Sequence, residues 1–185
     1  CAGRATHLLH CAPPPHAGTT VTRTANLLAT RASAAPLPRR LVYISTSGVY
    51  GDCGGELVSE SRPPAPHSPR AKRRFAAEEL LRNWCSKSGS NCIILRVPAI
   101  YGPGRLGVDR IIAGDPQILE SGSNPGNRIH VDDLSTAAIA ALDRSIPGGI
   151  YNVCDGDFRS PTWFAKTVAR LAGLTAPPLI SRTVA

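Results

Sequence analysis

The sequence predicts an α/β fold built on a parallel sheet. Three observations carry this. Short apolar runs with β-branched members recur at 5–12, 41–45, 91–97 and 149–154. Helical patterns separate the first three of them, and a strand–helix–strand connection of that length makes its two strands parallel. The runs end in glycine, proline or hydroxyl residues, at the position where open α/β sheets place their ligands.

In chain order, 5–12 reads as a short buried strand that Pro13-Pro14-Pro15 closes. A helix is expected over 19–35, with Val21, Leu27 and Leu28 apolar and Pro36 and Pro38 ending it. The strand at 41–45 runs straight into Thr46, Ser47 and Gly48, so that Ser45, Thr46 and Ser47 present three consecutive hydroxyls. Residues 51–69 form a loop punctuated by Gly54, Gly55, Pro63, Pro64, Pro66 and Pro69. A loop of that length inside a domain is usually functional. The helix over 70–88 places Phe75, Ala76, Leu80, Leu81 and Trp84 on one face, with Gly89 as its C-cap. The strand at 91–97 follows, then a turn-rich segment over 98–107.

The rhythm then changes. A short helix at 109–113 and short strands at 116–119 and 128–131 suggest a second lobe. Asp132-Asp133 reads as the N-cap of an Ala/Leu-rich helix to Leu142. A strand at 149–154 follows, then a helix capped by Ser160 or Thr162 and stopped by Gly173. Residues 175–185 read as a loosely packed tail.

Composition excludes several classes. The net charge is +8, with basic residues mostly arginine, but the charges are scattered and the one cluster, Arg70, Lys72, Arg73 and Arg74, is followed by Glu78 and Glu79. A solvated surface is expected, and no nucleic-acid partner. No apolar run approaches the roughly 18 residues of a membrane span. Of the six cysteines none forms a CxxC pair, and no histidine stands at ligand spacing from two of them, so no metal site is expected. Cys92 and Cys154 lie in apolar runs and read as small core residues. The pattern suits the reducing cytoplasm. The chain begins at Cys1 and contains no methionine, which leads to the expectation of a fragment truncated at its N-terminus.

A succession of pieces resembles a known family. Tyr50-Gly51 follows the hydroxyls, Glu60 precedes prolines, and Ala76-Ala77-Glu78-Glu79 lies on a helix. Leu95-Arg96, Tyr101-Gly102-Pro103-Gly104-Arg105, His130-Val131-Asp132-Asp133 and Tyr151-Asn152-Val153 then come in order. Over about residues 5–173 this is similar to the extended short-chain dehydrogenase/reductases, the NAD-dependent epimerase/dehydratase group. The resemblance implies a Rossmann-like doubly wound parallel sheet that binds NAD or NADP, and a small substrate lobe. It implies that 1–107 is part of the dinucleotide-binding domain and 108–174 mainly the lobe, with 129–154 returning to the core. The activity implied is hydride transfer on a carbonyl or nucleotide-sugar-type substrate. A homodimer through helix 70–88 is a further expectation.

Carried over by position, the family's catalytic hydroxyl is Thr46, with Ser45 and Ser47 as neighbours able to replace it. Its tyrosine and lysine fall on Arg70 and Arg74. No Y-x-x-x-K occurs in the chain, and a guanidinium does not donate a proton as a phenol does. Arg74 retains the ability to bond a ribose or phosphate. His67 is the nearest titratable candidate for the missing acid, although it reads first as an exposed loop histidine. The resemblance further places Ala12, Pro13, Pro14, Ser45, Arg74, Pro98, Ala99 and Ile100 along the cofactor, and Ser47, Arg105, Arg128 and His130 along the substrate. The family's glycine-rich G-x-x-G-x-x-G turn is absent, as if two βαβ units of roughly 60 residues preceded Cys1. Ala99 stands where the family often has asparagine, and Asn127 where it has arginine, with Arg128 one position on. An enzyme with an atypical site and a non-catalytic NAD(P)-binding sensor or scaffold both remain open. So does a chain that binds nothing alone.

Overall fold

The computed structural model describes residues 5–15, 21–32, 36–143 and 146–183. The ends of the helix expected over 19–35 lie outside them. The chain divides into two units, the first formed by Cys1–Pro98 and Leu134–Val153, the second by Ala99–Asp133 and Cys154–Ala185.

The first unit is built on a four-stranded sheet in the order β1 (His7–His10), β2 (Arg40–Thr46), β3 (Asn91–Val97) and β7 (Gly149–Asn152). Every neighbouring pair is parallel, with Tyr43 opposite both His10 and Ile94. Helices α1 (Thr22–Ala32) and α2 (Pro69–Ser88) make the crossovers. Leu28 of α1, Leu41 and Tyr43 of β2, and Ala77, Leu81 and Cys85 of α2 form one buried cluster. The buried face of α2 is therefore Ala71, Arg74, Ala77, Glu78, Leu81 and Cys85. Of the face expected from Phe75, Ala76, Leu80, Leu81 and Trp84, Leu81 lies in this cluster and Leu80 and Trp84 pack against it. Ala76 is exposed, and two charged side chains take core positions because they find partners there.

β1 also departs from expectation. It is an edge strand among the described residues, paired on one side only, and Leu9 is exposed. Helix α4 (Val131–Asp143) buries Leu134, Ala138 and Ala141. Its last turn is held by Arg40, whose Nη1 donates to the Ala141 carbonyl at 2.9 Å. Asp132 and Asp133 lie inside its first turn rather than at the cap. There they favour the positive end of the helix dipole.

Ser68 caps α2 by accepting from the Ala71 N–H at 3.1 Å, with Pro69 in the first turn and Gly89 ending the helix in the left-handed conformation. At the other end of the 51–68 loop, Gly51 has φ 78 and ψ −152, a region open to glycine alone. A Cβ there would collide with the Ala65 carbonyl and the His67 ring.

The second unit holds two parallel strand pairs, β4 (Ala99–Tyr101) with β6 (Arg128–His130), and β5 (Gln117–Ile118) with β8 (Leu179–Ile180). The segment read as a loose tail thus supplies a strand. Helices α3 (Val108–Ile112) and α5 (Pro161–Leu171) pack through Ile111, Phe164, Val168 and Ala169. Ser160 caps α5, accepting from the Trp163 N–H at 2.9 Å. Cys154 is exposed, not a core residue, because β7 ends at Asn152. No helix of the described residues is long and apolar enough to cross a membrane.

Candidate functional site

In the first unit the predicted residues gather at the carboxyl ends of the parallel strands. Ala12, Pro13 and Pro14 follow β1, Ser45 and Thr46 close β2, and Pro98 follows β3. Ala12 and Pro13 are exposed and Pro14 is buried. Neighbouring residues in a strand point to opposite faces, and this separates the hydroxyls. Ser45 faces α2, is 4% exposed, and donates its hydroxyl to Glu78 Oε1. It belongs to the core rather than to a cofactor surface.

Thr46 is half-buried and begins a 3-10 turn over Ser47–Tyr50. Its Oγ1 accepts from the Gly48 N–H at 3.2 Å. A hydroxyl has one proton and two lone pairs. With one lone pair engaged by the turn, the Thr46 proton remains available for an external oxygen. Ser47 is half-buried beside it.

The two arginines at the family's tyrosine and lysine positions part company. Arg70 is exposed on the first turn of α2. Arg74 is drawn inward: its Nη1 donates to the Ile44 carbonyl at 2.7 Å and to the Tyr43 hydroxyl at 3.3 Å. Its Nε is buried without a partner. A guanidinium engaged with β2 is not placed to take over the role of a ribose-binding lysine. None of the tyrosines of this unit replaces the missing acid. Tyr43 is fully buried, and burial pushes its phenol up despite Arg74. Tyr50 donates to Asn152 Oδ1 at 2.8 Å and Tyr151 to the Pro147 carbonyl at 3.2 Å. His67 is exposed, its ring set against Gly51.

Around Glu78 lies a polar network that the sequence does not announce. Glu78 takes Arg96 Nη2 at 2.8 Å and Nε at 3.3 Å, and the Arg96 guanidinium lies over the Tyr50 ring, 4.6 Å from its centre. Beyond Tyr50, the Asn152 side-chain amide donates to the Val58 carbonyl, and its backbone N–H donates to Glu60 Oε1 at 2.8 Å. Helix α2, strands β2, β3 and β7, and the long loop are thereby joined through side chains. The signal was present in the sequence as Glu78, Arg96 and Glu60 standing at otherwise apolar or turn positions.

In the second unit Ala99, Ile100, Arg105 and Arg128 line one cavity of about 220 Å³, together with Tyr101, Arg110 and Phe164. Arg128 is 6% exposed, and its Nη2 donates to the Arg159 carbonyl. Its Nη1 is buried without a partner, and its guanidinium stacks on Phe164 at 4.9 Å. Asn127 is exposed at the same cavity. His130 stands opposite Tyr101 in the strand pair, its ring edge-on to that phenol at 5.2 Å, with Nδ1 3.6 Å from Asp132. The Tyr101 phenol is pushed up by desolvation first and then by Asp155.

Comparison with known proteins fits this arrangement. Residues 12–154 match the NAD dependent epimerase/dehydratase family. The chain is 31% identical over 138 residues to protein YeeZ of Escherichia coli, covering 75% of this chain and 48% of YeeZ. It is also 31% identical over 145 residues to a dTDP-glucose 4,6-dehydratase of Mycobacterium tuberculosis, covering 71% and 43%. The chain therefore spans less than half the length of these relatives. Among solved structures, a conserved protein of unknown function from Silicibacter pomeroyi superposes with a TM-score of 0.77 at 32% identity, over 97% of this chain and 62% of that one. The UDP-glucose 4-epimerase of Thermus thermophilus, solved as a complex with NAD, gives a TM-score of 0.75 at 27% identity, over 96% and 65%. With the parallel sheet, the hydroxyl at the end of β2 and the family match over most of its length, this chain belongs to the NAD-dependent epimerase/dehydratase family.

Proposed function

We propose that the protein carrying this chain is an NAD(P)-dependent oxidoreductase of the epimerase/dehydratase type, acting by hydride transfer on a carbonyl or nucleotide-sugar-type substrate. The observation that carries this reading is the state of Thr46. It is the one of the three strand-end hydroxyls with a lone pair fixed by the Gly48 N–H and a proton left to donate. Ser45, by contrast, is committed to Glu78.

The residues fit the nicotinamide end of a dinucleotide at Thr46 and along Ala12, Pro13 and Pro98, and fail it at Arg74, which is engaged with Ile44 and Tyr43. When bound, the nicotinamide supplies or accepts the hydride. Thr46 orients and polarises the substrate oxygen by donating to it. Pro98 stands half-buried directly after β3. The proton relay that a Tyr/Lys pair would give is missing, and His67, just before α2 with its ring against Gly51, is the titratable candidate for it. For the substrate class, the unpartnered buried Nη1 of Arg128, with Arg105 and Arg110 around the same cavity, supports an anionic group such as a diphosphate. Tyr101 and Phe164 add flat apolar walls.

A second reading has its own support. Arg70 is exposed where the family's acid would stand, and Arg74 is turned into the core. These favour a protein that binds the dinucleotide without turning over, as a sensor or scaffold. A reducing compartment such as the cytoplasm suits the five described cysteines, all of them free. Pairing of two copies through α2 is proposed as well, and light scattering tests it.

The functional test titrates the protein that contains this chain with NADH and NADPH, following energy transfer from Trp84 and Trp163. Turnover is then assayed on a panel of carbonyl compounds and nucleotide sugars. Binding with turnover supports the enzyme. Binding without turnover supports the sensor. Absence of binding to either dinucleotide overturns both.

A further inference from the structure

We propose that Cys85 and Cys92 form a peroxide-sensitive thiol pair, a site of reversible oxidation to an intramolecular disulfide. Cys85 lies in the last turns of α2 and Cys92 near the start of β3. Both line one open cavity of about 730 Å³ in the first unit, with Arg82, Glu60 and Ser90. Cys92 packs against the buried cluster that contains Cys85. Cys85 is 2% exposed and packed in the Leu28/Leu41/Tyr43 cluster, whereas Cys92 is half-buried and reaches the cavity.

The two sulfurs are not equivalent. The neighbouring Cys85 thiol and the Arg82 guanidinium pull the Cys92 thiol down against the opposing effect of burial. The neighbouring Cys92 and burial push Cys85 up. Glu78 acts on Cys92 in the opposite sense but is paired with Arg96. A thiolate is the nucleophile, and a neighbouring cation with a hydrogen-bond donor raises its population. Cys92, half-buried at the open cavity, is the attacking sulfur, and Cys85, 2% exposed behind it, the resolving one. Among the described residues no group of three or more His, Cys, Asp or Glu is placed to hold a metal, so the pair does not extend into a metal site.

The chemistry balances with a hydroperoxide as oxidant. The Cys92 thiolate attacks one oxygen of hydrogen peroxide, forming S–O and breaking O–O. The departing hydroxide takes up the proton released when Cys92 ionised and becomes water. The Cys85 sulfur then attacks the Cys92 sulfenic sulfur, forming S–S and breaking S–O. The second hydroxide takes the Cys85 proton. Two thiols are oxidised by two electrons, and the peroxide is reduced to two waters. A dithiol reductant reverses the bond by exchange.

The test uses peptide mapping of the wild-type protein that contains this chain. Trypsin cuts after Arg82, Lys87 and Arg96, which separates the two cysteines into peptides 83–87 and 88–96. The protein is treated with hydrogen peroxide, its remaining thiols are alkylated, and it is digested without reduction. The expected product is peptide 83–87 joined to 88–96, two hydrogens lighter than the separate pair and resolved into both by dithiothreitol. Cys85→Ser is expected to leave Cys92 as a sulfenic acid that dimedone labels, and Cys92→Ser to leave Cys85 alkylatable. Recovery of both wild-type peptides alkylated after treatment would overturn the proposal. So would a Cys92 bridge to Cys11, Cys53 or Cys154 in place of Cys85.

Discussion

Arg96 and Glu78 form a two-pronged ion pair between β3 and α2, with side chains 2% and 1% exposed. Two charges leave water here, and the geometry returns what their desolvation costs only while both are present. Glu78→Gln or Arg96→Met alone is expected to lower unfolding free energy by about 3–5 kcal/mol, since each leaves an unmatched polar group in the core. The Glu78→Leu, Arg96→Met double variant should recover most of that loss. Urea unfolding of the four proteins checks this. Additive losses in the double variant would mean that the pair is not the energetic unit described.

The long loop depends on backbone conformation at one residue. Gly51→Ala forces a side chain into φ 78, ψ −152 and against the Ala65 carbonyl. Backbone strain of this kind costs of order 1–3 kcal/mol, to which the collision adds. Gly54→Ala is the control: it too has positive φ, at 61, but nothing within 4 Å of a Cβ. Its expected cost is about 1–2 kcal/mol, that of the left-handed conformation alone. The urea midpoint should fall further for Gly51→Ala than for Gly54→Ala, and equal midpoints would remove the Ala65 contact from the explanation.

The parallel sheet was legible because its strands are apolar runs between helical patterns, and Leu41–Tyr43 and Ile93–Leu95 are deeply buried. The second unit's short strands were legible as positions but not as partners, since pairing such as Gln117 with Leu179 joins residues far apart in sequence. Which hydroxyl is free was not legible. It depends on Glu78 of α2 approaching Ser45, which no local pattern encodes. Arg74 was misread for the same reason: a charged residue on a helix is usually solvated. Only the Ile44 carbonyl at the end of β2 explains why this one is not. Cys154 was misread because an apolar neighbourhood in sequence does not extend a strand beyond Asn152.

His10 makes stability depend on pH. Its Nε2 meets Thr24 Oγ1 at 3.0 Å and its ring stacks on Tyr43 at 5.1 Å. Burial first, and the charge of Arg74 second, hold its imidazole below the ordinary value of 6.5. The unfolded chain therefore binds more protons at this site than the folded one. The stability that comes from a neutral His10 is fully present above 6.5 and is lost as pH falls through the lower folded value. Below that value both states are protonated and the slope vanishes. Unfolding free energy measured from pH 8 to pH 4 in wild type minus His10→Gln should isolate this loss. A difference that does not change with pH would rule it out.

Thr46 is the most direct test of the proposed chemistry, because its two roles separate by substitution. As the cap of the turn it accepts from Gly48, and removing the hydroxyl is expected to cost about 1 kcal/mol of stability. As a donor to the substrate oxygen it acts on the transition state, where loss of one preorganised donor lowers kcat about 10²–10³-fold. Thr46→Val, similar in shape, should lose both in the protein that contains this chain, while the dinucleotide affinity stays unchanged. Thr46→Ser should retain both roles and most of the turnover. Ser45→Ala, which breaks the bond to Glu78, should lower stability with little change in kcat. Steady-state rates and dinucleotide titrations of the three variants distinguish the cases. If Thr46→Val kept its turnover and Ser45→Ala lost it, the catalytic hydroxyl would be Ser45, and the strand-end geometry would have to rearrange on binding.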